Sequence, residues 1–256
     1  MAEIHQVAAE GFAAGAANYV AGRPEYPPAI EQWLTQDLGL SSAATALDLG
    51  AGTGKFSRSL LATGARVIAV EPVPAMLDQL IHQYSEITPK RGSAEHIPLP
   101  DASVDAVVCA QSFHWFATPE ALHEIHRVLK PGGAFGLVWN VRDDSVEWVA
   151  ALTRIMKPFE GDAPRFHSQK WRNLFPAEGF SPLRERRFSN RHTGPPEQVI
   201  VERILSVSFI AALPPGEREH VTAQLRNVIA TFPELAGKTQ VTFPYETLAV
   251  VCTRLP

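Results

Sequence analysis

The chain has 256 residues, 45% hydrophobic and 20% charged, with a formal net charge of −4. This balance fits one large globular domain with a sizeable core. Without a basic surplus to neutralise phosphates, a nucleic-acid partner is not expected.

The first 30 residues are Ala-rich and then Pro-rich, ending in Arg23-Pro24-Glu25-Tyr26-Pro27-Pro28, an extended connector. A helix is expected over 28–38, leading to a strand over 44–49. Further strands are expected near 66–71, 88–92, 104–110 and 133–140, with helices near 54–63, 74–85 and 118–129. Such alternation predicts a parallel, doubly wound sheet. Beyond it, residues 143–180 and 192–237 read as helical. Asp144–Met156 forms one helix, Trp171, Leu174 and Phe175 lie on another that Gly179 ends, and a third runs from Pro214 to about Thr231. No apolar run is long enough to cross a bilayer, and the N-terminus lacks the basic and apolar regions of a secretory leader, so no membrane association is expected. Cys109 and Cys252 lie in apolar runs and read as small buried hydrophobes in a reducing cytoplasm.

The chemistry-bearing stretch is Ala46-Leu47-Asp48-Leu49-Gly50-Ala51-Gly52-Thr53-Gly54-Lys55-Phe56. An apolar run stops at glycines spaced two apart, and a helix-compatible segment follows. That reads as a strand, a tight turn and a helix start, where backbone can approach a ligand closely. A dinucleotide fingerprint needs its third glycine at position 55, which is Lys. A phosphate-cradling loop needs Gly at 49 and a hydroxyl at 56, where Leu and Phe stand. Val67-Ile68-Ala69-Val70-Glu71-Pro72 follows, a buried parallel strand with a carboxylate at its tip. Glu71 lies 21 residues after Gly50, a spacing that suits a carboxylate accepting from two ribose hydroxyls.

The pattern hydrophobic-Leu-Asp-hydrophobic-Gly-x-Gly-x-Gly resembles the first motif of the class I S-adenosylmethionine (SAM)-dependent methyltransferases. Gly92-Ser93-Ala94-Glu95-His96-Ile97-Pro98-Leu99-Pro100-Asp101 and Leu129-Lys130-Pro131-Gly132-Gly133 resemble two later motifs of the same family, in the same order. The resemblance implies a Rossmann-like α/β fold, a doubly wound sheet of seven strands, mostly parallel with the last antiparallel, carrying helical cap insertions. Leu183–Phe188 and Val241–Thr253 fit its last two strands. It implies a SAM cofactor held by Asp48, Gly50, Ala51 and Gly52, by Glu71 with Pro72, by Met76, Ser93, Ala94 and Glu95 around the adenine, and by Gln111. Tyr19-Val20-Ala21-Gly22-Arg23-Pro24-Glu25-Tyr26-Pro27 resembles a segment that covers the SAM site in a branch including trans-aconitate methyltransferase-like proteins; there Tyr19 and Arg23 would hold a carboxylate. The organisation implied is a lid segment over 1–30, a SAM-binding core over 31–142 and the remainder of the sheet with its caps over 143–256, as one domain.

The expected activity is methyl transfer to a small-molecule acceptor, at a carboxylate or hydroxyl oxygen, by a monomer or homodimer. His114, after the fourth core strand, is the candidate acid, base or hydrogen-bond donor, with packing against aromatic neighbours as the alternative. A SAM-binding sensor without turnover and a protein or RNA methyltransferase are the competing readings. His123 and His126 sit three apart on a helix, but with no third ligand evident no metal is expected, and the plain reading is a solvated polar face. Arg184, Arg186 and Arg187 alternate with Glu185 on an expected edge strand, where charge discourages edge pairing.

Overall fold

The structure, a computed structural model, describes residues 23–161 and 164–256. Its centre is a seven-stranded sheet. In chain order the strands are β1 (Thr45–Leu49), β2 (Arg66–Glu71), β3 (Thr88–Arg91), β4 (Val104–Ala110), β5 (Leu129–Arg142), β6 (Arg184–Gly194) and β7 (Val241–Thr253), and they lie side by side as β3-β2-β1-β4-β5-β7-β6. The first five are parallel, and β7 runs antiparallel between β5 and β6. Every residue of β1 is buried, which explains its unbroken apolar reading around Asp48. The strand order reverses between β1 and β4, opening a crevice at their carboxyl ends.

The helices are α1 (Ala29–Gln36), α2 (Ser57–Ala62), α3 (Pro74–Gln83), α4 (Pro119–Val128), α5 (Glu147–Met156), α6 (Arg203–Leu205), α7 (Ser208–Ala211) and α8 (Pro215–Thr231). Helix α1 buries Ile30, Trp33 and Leu34 against one sheet face, together with Leu60 of α2 and Leu80 of α3. Helix α4 covers the other face with Ala121, Leu122, Ile125 and Val128. Pro119 starts α4, and the Thr118 hydroxyl caps it by accepting from the Ala121 N–H at 3.2 Å. Residues 54–56 precede α2 as turns, so that helix starts later than the expected position 54. Near the start of β5, Gly132 has φ +80°, a conformation that favours glycine.

A third apolar cluster joins α5, α8 and a π-helical turn at Glu197–Glu202 to the first half of β7, with Trp148 against Phe243 at 4.9 Å between ring centres. It forms a cap with its own core. Two expectations are corrected here. The region around Trp171–Gly179 is not a helix but short 3-10 turns (Phe166–Ser168, Lys170–Leu174), because Pro164 and Pro176 interrupt any longer ladder. Strand β6 runs six residues beyond the expected Phe188, pairing with β7 as far as Gly194↔Val241. On this edge strand Arg184 and Arg186 meet Asp37 at 3.7 and 3.4 Å, and Arg187 pairs with Glu246. Cys109 and Cys252 are buried and unpaired, on strands separated by β5. Among the described residues no helix is long and apolar enough to cross a membrane.

Candidate active site

The site begins at the turn after β1. Gly50 has φ +70°, and a Cβ there would lie 2.8 Å from the Ser112 Cβ, so only glycine lets the two loops meet. The Ser112 hydroxyl closes the contact, donating to the Leu49 carbonyl at 2.9 Å. Gly52 has φ +58° with open space beside it, its nearest prospective neighbour being Met76 Sδ at 3.9 Å. Its N–H donates to Glu71 Oε2 at 2.9 Å, and the Val73 N–H donates to Oε1 at 2.9 Å. Glu71 is therefore fixed at the tip of β2, beside the turn it supports. Burial raises its pKa, and the two N–H donors act against that rise.

Asp48 is 1% exposed, and its Oδ2 accepts from the Ser57 hydroxyl at 2.6 Å. Its Oδ1 is buried without a hydrogen-bond partner. Burial raises its pKa from 3.8 to about 7. A desolvated acceptor facing a cavity is an unmet demand for a donor.

The cavity lies over the carboxyl ends of β1, β2 and β4. Arg23, Asp48, Gly50, Ala51 and Gly52 line it, together with Glu71, Pro72 and Met76. Ser93, Ala94 and Glu95 border it from one side and Gln111 from another. Gln111 holds φ +59°, with its N–H bound to the Val138 carbonyl at 2.8 Å. Tyr19 lies outside the described residues. All the other expected cofactor residues thus meet in one crevice.

His114 does not line that crevice. It faces an adjoining cavity with Arg165, His167 and Trp171, and Trp115 borders both cavities. His114 Nδ1 accepts from the Trp139 indole at 3.2 Å, which places the ring proton on Nε2. Burial, with Arg165, Arg23 and His167 nearby, lowers its pKa to about 3. At neutral pH the ring is an uncharged donor and a weak base.

Several wall residues escaped the sequence reading: Tyr26, Lys55, Ser112, Asn140 and Arg203. Lys55 Nζ donates to the Arg23 carbonyl at 2.5 Å and pairs with Glu25 at 3.1 Å. Asn140 and Asn190 both donate to the Glu25 carbonyl, at 3.3 and 2.8 Å, and Thr247 donates to Asn140 at 2.5 Å. These bonds fasten residues 23–26 across the crevice. Asn140 carried a legible signal, being a lone amide in the apolar run Gly136–Val141. His126 packs edge-on against Phe180 at 5.4 Å, and among the described residues no cluster suits a metal ion.

The family model for a methyltransferase domain matches residues 47–137. An uncharacterized methyltransferase-like protein of Schizosaccharomyces pombe is 42% identical over 252 residues, covering 98% of each chain. This chain belongs to the SAM-dependent methyltransferases. An uncharacterized methyltransferase of Mycobacterium tuberculosis is 38% identical over 243 residues, covering 95% of this chain and 94% of that one. Among solved structures, a protein described as a type II methyltransferase from Anaeromyxobacter dehalogenans superposes with a TM-score of 0.67 at 25% identity, covering 91% of this chain and 99% of that chain. The methyltransferase cofactor is SAM. The residues present fit it: the unpartnered Asp48 oxygen suits an ammonium group, the open Gly52 face admits a ligand, and Glu71 offers remaining lone pairs to sugar hydroxyls.

Proposed function

We propose that this methyltransferase methylates an oxygen of a small-molecule acceptor, and that the oxygen belongs to a carboxylate rather than a hydroxyl. The observation that carries this reading is the state of His114. Its Nδ1 is committed to the Trp139 indole and its pKa is held at about 3, so it does not take a proton from a hydroxyl at neutral pH. A carboxylate arrives already deprotonated. His114 then serves as a neutral donor through Nε2, orienting the acceptor from the adjoining cavity.

In this reading Asp48 holds the ammonium of the cofactor, and Glu71 accepts from its ribose. Met76, Ser93, Ala94 and Glu95 flank the adenine, with Pro72 and Gln111 completing the walls. Arg23 and the segment fastened by Lys55, Asn140 and Asn190 close the top as a lid, the role also proposed for Tyr19. When bound, the cofactor supplies an electrophilic methyl group on a positively charged sulfur. The protein holds the acceptor oxygen in line and keeps water out, so that positioning supplies most of the rate. A cytoplasmic setting fits the two buried, unpaired thiols, and the N-terminal segment supports membership of the trans-aconitate-like branch.

The test is incubation with methyl-labelled SAM and panels of carboxylic acids and alcohols, followed by mild alkali. A methyl ester releases labelled methanol, whereas an ether or amine retains the label. Alkali-stable product alone would overturn the carboxylate reading.

A further inference from the structure

Three arginines, one lining each cavity and one at the end of β5, are not accounted for by the cofactor. Arg142 ends β5, Arg165 lines the cavity of His114, and Arg203, at the start of α6, lines the main crevice. All three carry buried guanidinium nitrogens with no hydrogen-bond partner: Nε of Arg142, Nη2 of Arg165, and both Nε and Nη1 of Arg203. The Tyr245 hydroxyl, on the residue paired with Arg142 across β5 and β7, is likewise buried and unpartnered.

These groups sit together. Arg203 lies close enough to Arg142 to lower its pKa, after burial, and Arg142 does the same to Arg165. The acids facing them are few. Glu160 reaches Arg165 only at 3.9 Å, and Asp144, close to Arg142, is exposed and bound to Thr153. Arg165 rests over the Phe209 ring at 3.7 Å, which fixes the guanidinium without using its N–H groups. Neighbouring cations drained of water and left with unmet donors are costly unless an anion completes them. Arginine forks suit carboxylate or phosphate oxygens, two donors at a time.

We infer that Arg142, Arg165 and Arg203 form a binding site for an anionic group of the methyl acceptor, a carboxylate or a phosphate distinct from the oxygen that is methylated. The inference rests on the small-molecule acceptor reading above, and it adds that the acceptor carries at least one further negative charge. Arg203 presents that group from the crevice side and Arg165 from the side of His114.

The test uses the full chain saturated with S-adenosylhomocysteine and titrated calorimetrically with malonate, with inorganic phosphate and with neutral malonamide. Malonate or phosphate is expected to bind and malonamide not to; the tighter anion identifies the group. Arg142→Gln, Arg165→Gln and Arg203→Gln should each weaken anion binding by about tenfold or more. Arg142→Gln and Arg165→Gln should leave S-adenosylhomocysteine affinity within about twofold of the wild type. If Arg142→Gln fails to fold, the partly exposed Arg165 carries the comparison alone. Absence of binding by either anion, or equal anion affinity in wild type and Arg165→Gln, would overturn the site. Alkali-stable product with anion binding intact would remove the carboxylate reading and leave this site standing. Methyl ester formation without anion binding would do the reverse.

Discussion

At the scale of single residues, Asp48 and Glu71 carry most of the testable chemistry. Replacing Glu71 by Ala removes the support of the Gly52 N–H and, in the proposed reading, an acceptor for the cofactor sugar. Affinity for S-adenosylhomocysteine should fall by about 1–3 kcal/mol, read by calorimetry; an unchanged affinity would remove Glu71 from the site. Asp48 makes the site sensitive to pH. Its pKa in the folded chain is about 7 against 3.8 ordinarily, so folding favours the protonated form. Its contribution to stability is fully present below about 4 and is lost as pH rises through 7. An ammonium partner reverses the preference, because it demands the carboxylate. Cofactor affinity should therefore rise with pH up to about 7, and Asp48→Asn should flatten that rise and the matching stability difference in paired thermal melts. Asp48, Gly50, Gly52 and Glu71 stood out because strand, turn and acid follow at fixed spacing, and the fold brings all four to one crevice. The displacement of His114 into a neighbouring cavity was not, since it depends on Trp139, an indole 25 residues away.

At the scale of elements, α4 works as a clamp on the loop that borders the crevice through Ser93, Ala94 and Glu95. Arg127 donates to the carbonyls of Ile97 and Leu99, at 2.9 and 2.8 Å, and to Asp101 at 2.7 Å, while Glu124 accepts from the Ile97 N–H at 2.8 Å. The same guanidinium, through its hydrogen bonds, holds the Glu124 carboxyl below its ordinary range. Arg127→Ala should speed amide hydrogen exchange over 93–101 and weaken cofactor binding several-fold while α4 stays folded; unchanged exchange would show that the loop needs no clamp. The polar face of α4, read from the sequence as solvated, is thus partly occupied in holding this loop. Strand β6 shows the opposite limit of legibility. Its second half, Ser189-Asn190-Arg191-His192-Thr193-Gly194, is polar on both sides, with Ser189, Arg191 and Thr193 exposed on the edge and buried Asn190 bonded to Glu25 and Asn140, so alternation gave no sign of the ladder to β7. The expected helix near Trp171 failed because apolar spacing outweighed the prolines in the reading, whereas in the fold those side chains fill the α4 face of the sheet from tight turns.

At the scale of the whole molecule, the parallel half of the sheet was readable because each of its strands is short, apolar and followed by a recognisable turn. The cap was readable only as helical content, since its core is assembled from distant pieces: Trp148 from α5, Val221 and Leu225 from α8, and Phe243 from β7. Tying that cap to the crevice leaves one consequence for how residues 23–26 are held. Strand β7 is the last of the seven in sequence yet sits between two earlier strands, and Asn140 and Asn190, which donate to the Glu25 carbonyl, and Thr247, which donates to Asn140, reside on three separate strands. Without β7, strand β6 has no neighbour in the sheet, so Asn190 is not carried to the Glu25 carbonyl and Asn140 loses the Thr247 hydroxyl. Fastening of residues 23–26 over the crevice therefore depends on the insertion of β7 between β5 and β6.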